Sequence, residues 1–476
     1  MVSFFLSIVA LIVGYFIYSK VVEKAFGADD NIKTPAVRLE DGVDFVVMPA
    51  WKIFLIQFLN IAGTGPIFGA IAGALWGPAA FLWIVLGSIF AGGVHDYLSG
   101  ILSVRHDGAS IPEVVGKYLG PGFKNFMRAF SIVVLILVGV VFITTPANLL
   151  ASLTPAVLNA KFWVWVIFGY YILATLLPID KLIGKIYPIF GICLLIMAIG
   201  VSGGIIFGGY KIPEITLTNL HPKNLPIWPL MFISIACGAI SGFHSTQSPL
   251  MARCITTEKQ GRAIFYGAMI AEGVVALVWA AAAIAFFGST GELNAQMTAN
   301  GGQGWVVSTI SNSLLGKFGG ALAILGVVAC PVTSGDTAFR SARLTIADFL
   351  NFKQGPLKNR LAIAVPLFAI GFVLTRIDFN ILWRYFAWSN QTLAMIVLWA
   401  SAMYLALRKQ IHWIATVPAT FMTAVSITYI LAAPEGFQLS YSIAYPIGIA
   451  VAIGALAVFL TAVNKKIQAQ NAGVNA

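Results

Sequence analysis

The chain of 476 residues is 59% hydrophobic and only 10% charged. Soluble domains carry about 25% charged residues, so a soluble globular protein is excluded and a polytopic membrane protein remains. The formal charge of +11 would point to nucleic acid or an acidic partner in a soluble chain, but in a membrane protein the placement of Lys and Arg reports topology, and no nucleic-acid partner is expected.

Apolar stretches of roughly 20 residues recur from end to end, and a helix of that length crosses a hydrocarbon core about 30 Å thick. Helices are the default, because an open sheet leaves its edges unsatisfied in lipid. The opening run, "MVSFFLSIVALIVGYFIYSK", has no basic residue ahead of it and no small-residue cleavage pattern behind it, and reads as a retained transmembrane helix. The pattern predicts helices over 3–19, 52–75, 78–98, 126–152, 162–178, 182–208, 227–250, 262–288, 316–340, 361–376, 380–405, 412–432 and 442–463. Thirteen helices divide the 29 Lys and Arg residues between alternate connections as 23 against 6. This bias predicts an N-terminus outside and a C-terminus on the cytoplasmic side.

The second predicted helix is interrupted by "LNIAGTGPIFGAIAG" and the seventh by "ISIACGAISGFHSTQSPL". Two interrupted helices five apart, entering from opposite sides, predict two inverted five-helix repeats. The expected division is a first helix and loop at 1–51, repeats at 52–208 and 209–405, and two further helices with a short tail at 406–476. Paired Gly/Pro-interrupted segments in inverted halves point to a transporter's binding site. Gly63, Thr64, Gly65 and Pro66 are therefore candidate substrate-binding residues, with Thr64 expected to cap the second half-helix and Pro66 in its first turn. Free N–H groups there favour an anion, and freed carbonyls on the other half favour a cation. The alternative is a packing kink in which the glycines permit close helix contact. Gly242, His244 and Ser245 of the second break are candidates opposite, His244 being either protonatable near pH 6.5 or a neutral partner for loose backbone.

Ionisable residues inside a membrane cost about 2.5–3.5 kcal/mol on insertion scales, so each is a functional suspect. Glu272 is the most isolated acid, suited either to ion coupling or to a structural hydrogen bond. Thr333, Ser334 and Asp336 in "ACPVTSGDTAFRSARL" offer hard oxygen ligands for Na⁺ or a proton carrier, unless Asp336 merely pairs with Arg340. Arg384 stands among Trp383, Tyr385 and Trp388, where it either meets a substrate carboxylate or reaches the interface beside an aromatic belt. Two His-Asp pairs, His95-Asp96 and His106-Asp107, read as a gate or loop-anchoring network, or as a metal or proton site. Cys193, Cys237, Cys254 and Cys330 lack metal-ligand spacing and read as apolar packers.

The run "GTGPIFGAIAGALWGPAAFLWIVLGSIFAGGVHDYLSGILSVRHDGASIPEVVG", with "SGFHSTQSPLMARC" and "ACPVTSGDTAFRSARL", resembles the carbon starvation protein CstA family. The resemblance implies a secondary transporter of the amino acid, polyamine and organocation superfamily type, with a LeuT-like five-plus-five inverted repeat and peptides or pyruvate as substrate. It also implies that helices 2 and 7 are the two broken helices of that fold, and that Thr333 and Ser334 fall where it often places a sodium site. The expectation is an ion-coupled symporter with no cofactor beyond a proton or sodium. Two rivals remain: a membrane starvation sensor whose basic inner loops dock a partner, and an intramembrane enzyme, for which no H-E-x-x-H motif occurs.

Overall fold

The computed structural model describes residues 1–42, 44–176 and 179–474, and every regular element among them is helical. The long helices are α1 (Val2–Phe26), α2 in two pieces (Ala50–Ala62 and Gly65–Trp76), α3 (Ala79–Arg105), α4 (Pro121–Leu153), α5 (Ala160–Leu176) and α6 (Ile179–Phe207). They continue with α7 in two pieces (Leu230–Ser234 and Gly242–Ala252), α8 (Arg262–Phe287), α9 (Gln303–Leu350) and α10 (Leu357–Leu374). The last three are α11 (Phe379–Leu407), α12 (Trp413–Ala432) and α13 (Tyr441–Val474).

Among the described residues, ten helices are long and apolar enough to cross a membrane, and the bent α2 makes an eleventh. Length and composition thus stop short of the thirteen spans expected. The apolar part of α5 is only Ala160–Ala174, and the break divides α7 into pieces of 5 and 11 residues. The predicted end of the fifth helix, 177–178, lies outside the described residues. α9 begins earlier than expected because a further helical segment, 303–315, joins the span Gly319–Leu350 through Gly316, whose φ of 66° lies outside the helical region.

α2, α3, α7 and α8 form the centre. α8 packs on both pieces of α2, on α3 and on α1, while the second piece of α7 packs on α3, α11 and α2. α8 is buried along almost its whole circumference, as expected of a helix that is apolar on every side. α4 and α9 lie along each other, α6 covers α9 and the first piece of α2, and α12 and α13 stack on α11 at the edge. α1 and α13 leave ridges of Phe, Ile, Leu and Val exposed, which is the surface a chain in lipid presents.

The two breaks touch each other. A Cβ on Gly65 would stand 2.1 Å from the Cys237 side chain, so only glycine permits that approach.

Candidate functional site

The first piece of α2 ends at Ala62. Gly63 turns the chain with φ 42°, and the helix resumes at Gly65–Gly69 as a π-turn with Pro66 near its start, bent 52° from the first piece. The Thr64 carbonyl accepts from Phe68 N at 2.8 Å, but its hydroxyl makes no capping bond, contrary to expectation. The reason is conformational: Thr64 has φ −91° and ψ −16°, whereas a capping side chain needs extended backbone to reach the first N–H groups. Gln57 and Asn60 in the last turns of the first piece, and Thr64 just past the break, are all fully buried with no side-chain hydrogen-bond partner.

The second break runs from Ile235 to Ser241. Its resumed helix is capped by a residue from another helix: Asn390 Oδ1 on α11 accepts from Phe243 N at 2.6 Å and from Ser241 Oγ at 3.2 Å. Sequence reasoning missed Asn390, although the polar run "SNQT" inside an apolar helix was a signal. Gly242 is pressed against the Asn390 carbonyl, and Ser245 Oγ donates to the Gly242 carbonyl at 2.7 Å. Both serve the backbone of the break.

His244 connects this break to two other helices. Its Nδ1 lies 2.8 Å from Asp96 Oδ2 on α3, and the other Asp96 oxygen lies 2.8 Å from His95 Nδ1. On the far side, His244 Nε2 approaches Glu272 Oε2 of α8 to 3.3 Å without the alignment of a hydrogen bond. All four side chains are fully buried. Residues expected in three separate roles, gate (His95, Asp96), substrate contact (His244) and ion coupling (Glu272), thus form one continuous chain.

The second His-Asp pair is elsewhere. His106 lies 2.7 Å from the Leu102 carbonyl and 2.9 Å from Tyr118 Oη, and Asp107 pairs with Arg38 at the surface. Among the described residues, no group of three or more His, Cys, Asp and Glu side chains is arranged to hold a metal ion.

α9 divides its polar residues between two neighbours. Ser334 Oγ lies 3.0 Å from the Leu59 carbonyl, near the end of the first piece of α2, while Thr333 Oγ1 turns back to Cys330 O at 2.8 Å. Asp336 instead accepts from Tyr187 Oη of α6 at 2.8 Å, and Tyr187 lies 3.3 Å from Tyr170 Oη. Arg340 donates to the Ala174 carbonyl at 2.9 Å. Arg384 pairs with Glu435 at 3.3 Å and is half-exposed, so it stands outside the buried centre. A G-x-S-x-G string at 200–204 lies within α6, with Ser202 Oγ donating to Ala198 O at 2.8 Å, and forms no nucleophile elbow.

The two faces of the protein differ. One carries a cavity of about 890 Å³ lined by α2, α4, α9 and α11 residues, among them Phe68, Thr145 and Asn380. Phe68, one turn beyond the first break, lies 6.5 Å from Trp383. The opposite face is drawn together by Arg105, whose Nη2 reaches Glu258 Oε2 at 2.7 Å, and by Arg253, which donates to the Gly108 carbonyl at 2.9 Å.

A family model described as carbon starvation protein CstA matches residues 1–162 and 153–316. A Haemophilus influenzae membrane protein is 47% identical over 339 residues, 60% of this chain and 91% of that one. The "Peptide transporter CstA" of Escherichia coli is 25% identical over 569 residues, 92% of this chain and 80% of its own. The "Pyruvate/proton symporter BtsT" of Escherichia coli is 26% identical over 338 residues, 57% and 47% of the two chains. Among solved structures, MhsT in complex with L-phenylalanine superposes with a TM-score of 0.55 at 15% identity, covering 88% of this chain and 99% of that one. A manganese transporter of Eremococcus coleocola gives 0.52 at 13%, covering 90% and 99%. These likenesses show the LeuT-like fold. The chain belongs to the carbon starvation protein CstA family.

Proposed function

We propose that the protein is a proton-coupled secondary transporter of the inner membrane, importing a small carboxylate-bearing nutrient, a peptide or pyruvate, by alternating access. Supporting the substrate class are the relatives named for peptide transport and for pyruvate/proton symport. Supporting the coupling ion is the buried chain His95–Asp96–His244–Glu272.

That chain has three contacts. Two neutral histidines bring two N–H groups and the carboxylates none, so only two contacts can be hydrogen-bonded. With both Nδ1–H groups donated to Asp96, the His244 Nε2 lone pair faces the lone pairs of Glu272. One further proton converts that repulsion into a hydrogen bond. The cluster is thus built to hold one transferable proton, and it lies beside the break where a substrate carboxylate would meet half-helix N–H groups. An ionised Glu272 would repel that carboxylate, whereas the protonated form would admit it. This makes loading of proton and substrate interdependent, which is what symport requires. One charge crossing 100 mV is worth about 2.3 kcal/mol, enough to drive accumulation.

A second reading, sodium coupling, has one favouring observation: Ser334 Oγ stands beside the Leu59 carbonyl near the break. The two are separated by uptake of radiolabelled pyruvate and of a labelled dipeptide into proteoliposomes under imposed proton or sodium gradients, with Glu272→Gln beside the wild type. Uptake driven by protons and lost in the variant supports the proton reading. Uptake driven by sodium alone overturns it. No uptake of either substrate by folded protein favours the sensor.

A further inference from the structure

We propose that the chain between α1 and α2 is a strap that locks the face predicted to be cytoplasmic, with Glu258 as the group that fastens it. The purpose of the strap rests on the transport reading, whereas the lock itself rests on contacts independent of it.

The strap crosses that face in two stretches, 28–38 and 44–48, and both are tied to the turn between the second piece of α7 and α8. In the first, Asp29 N donates to Glu258 Oε2 at 2.8 Å and Lys259 N donates to Asp30 Oδ1 at 3.0 Å. The fully buried Thr34 hydroxyl donates to the Ile255 carbonyl at 2.6 Å. In the second stretch, Val46 N donates to the Arg253 carbonyl at 3.2 Å and Met48 N to the Cys254 carbonyl at 3.3 Å. α2 starts at Ala50, two residues later, so movement of its inner end pulls on these bonds.

Through Glu258 and Arg105 the turn meets three further elements. Glu258 is fully buried, and Arg105 at the end of α3 engages both its oxygens, Nε on Oε1 and Nη2 on Oε2. The same Nη2 donates to the Gly27 carbonyl at the end of α1 at 3.0 Å, and Nη1 reaches Tyr404 Oη of α11 at 3.5 Å. A forked guanidinium on a carboxylate is strong and directional, and removing one partner of a buried pair leaves the other charge uncompensated. α3 and the second piece of α7 are also the helices joined by Asp96 and His244. The lock and the proton chain therefore hold the same two helices together at two levels.

A separate observation marks this arrangement as one of two states. Gln57 and Asn60, on the first piece of α2, are fully buried, and both polar side-chain atoms of each are without a partner. Unsatisfied buried polar groups are costly, and a displacement of this piece that admits water satisfies them. The strap opposes a movement that the buried amides favour, and its release opens the inner face.

The test reads both faces of the full chain in proteoliposomes. Native Cys254 is fully buried and bonded through its carbonyl to the second stretch; its labelling by a small thiol reagent, located by peptide mapping, reports the inner face. Asn312→Cys, at an exposed position in the wall of the large cavity, reports the other. Glu258→Gln should raise the labelling rate of Cys254 about tenfold or more, as loss of a charge-assisted hydrogen bond does, and should slow that of Asn312→Cys, since one face closes as the other opens. Thr34→Val, which removes one hydroxyl and no charge, should shift both rates in the same directions by a smaller factor, and it replaces Glu258→Gln if that variant does not fold. Asp30→Asn removes only an exposed ion pair and should leave both rates within about twofold. Rates unchanged in Glu258→Gln and Thr34→Val, or raised at both faces together, overturn the lock. Uptake measured in parallel keeps the two ideas apart. Opposite shifts at the two faces without uptake by the wild type remove the transport reading and leave the strap, whereas uptake with unchanged rates does the reverse.

Discussion

The dipeptide His-Asp occurs twice, eleven residues apart, with opposite fates. His95-Asp96 lies inside α3 with both side chains fully buried, and Asp96 receives a second histidine from α7. His106-Asp107 lies just past the end of the same helix, where Asp107 has φ 58° in a turn and pairs with an exposed Arg38. The first pair has no water to compensate its charges, so each contact must come from protein and carries a large energetic consequence. In the second, Asp107 is solvated, and an exposed ion pair such as the one it forms with Arg38 contributes about 0–1 kcal/mol. Identical side chains therefore acquire different chemistry from burial and from what the fold brings opposite them.

The widest separation should come from removing the carboxylate of each pair. Asp96→Asn takes away the acceptor for two histidines and is expected to lower proton-driven uptake about 100-fold or more, the scale of a lost proton-transfer group. Asp107→Asn should alter it less than about twofold, and similar losses in both would break the contrast. Next in size, Glu272→Gln should abolish acceleration of uptake by a proton gradient while leaving substrate counterflow measurable, because an amide cannot exchange the proton. If counterflow disappears as well, Glu272 acts in substrate binding itself.

A smaller, structural effect is expected at Asn390. Asn390→Ala deprives the second piece of α7 of its cap from α11 and should destabilise the protein by about 0.5–2 kcal/mol, read as a lowered midpoint of thermal unfolding in detergent. The smallest effect belongs to His106. Burial, foremost, then Lys117 and Arg408 lower its pKa, against the Leu102 carbonyl and Asp107, which raise it. Below its ordinary value of 6.5 the unfolded chain takes up a proton that the folded chain resists, so stability falls as pH drops through that region and is unaffected above it. His106→Gln should flatten this dependence between pH 5 and 7 without changing uptake at pH 7. An unchanged slope would assign the acid sensitivity to other groups.

Much of the site was legible one residue at a time. Glu272 was conspicuous because a lone carboxylate in an apolar helix needs a partner, and the breaks in α2 and α7 because glycine, proline and hydroxyl residues interrupt long apolar runs. Pairing was not legible. Nothing in the spacing of His95, His244 and Glu272 tells that they meet, since they lie on three different helices whose packing brings them together. Asn390 escaped notice because its role is to cap a helix far away in sequence. Thr64 was read as a cap from residue type, yet capping is decided by backbone angles.

By itself the sequence determined the membrane class, the helical architecture and the two interruptions, because hydrophobic length and the need to satisfy backbone groups in lipid act locally along the chain. Only the tertiary structure decided which ionisable groups share one buried chain, which His-Asp aspartate is solvated, and which helix end opens onto a cavity. The strength of a charge or a hydrogen bond depends on water and on neighbours, and both are supplied by packing between segments distant in sequence.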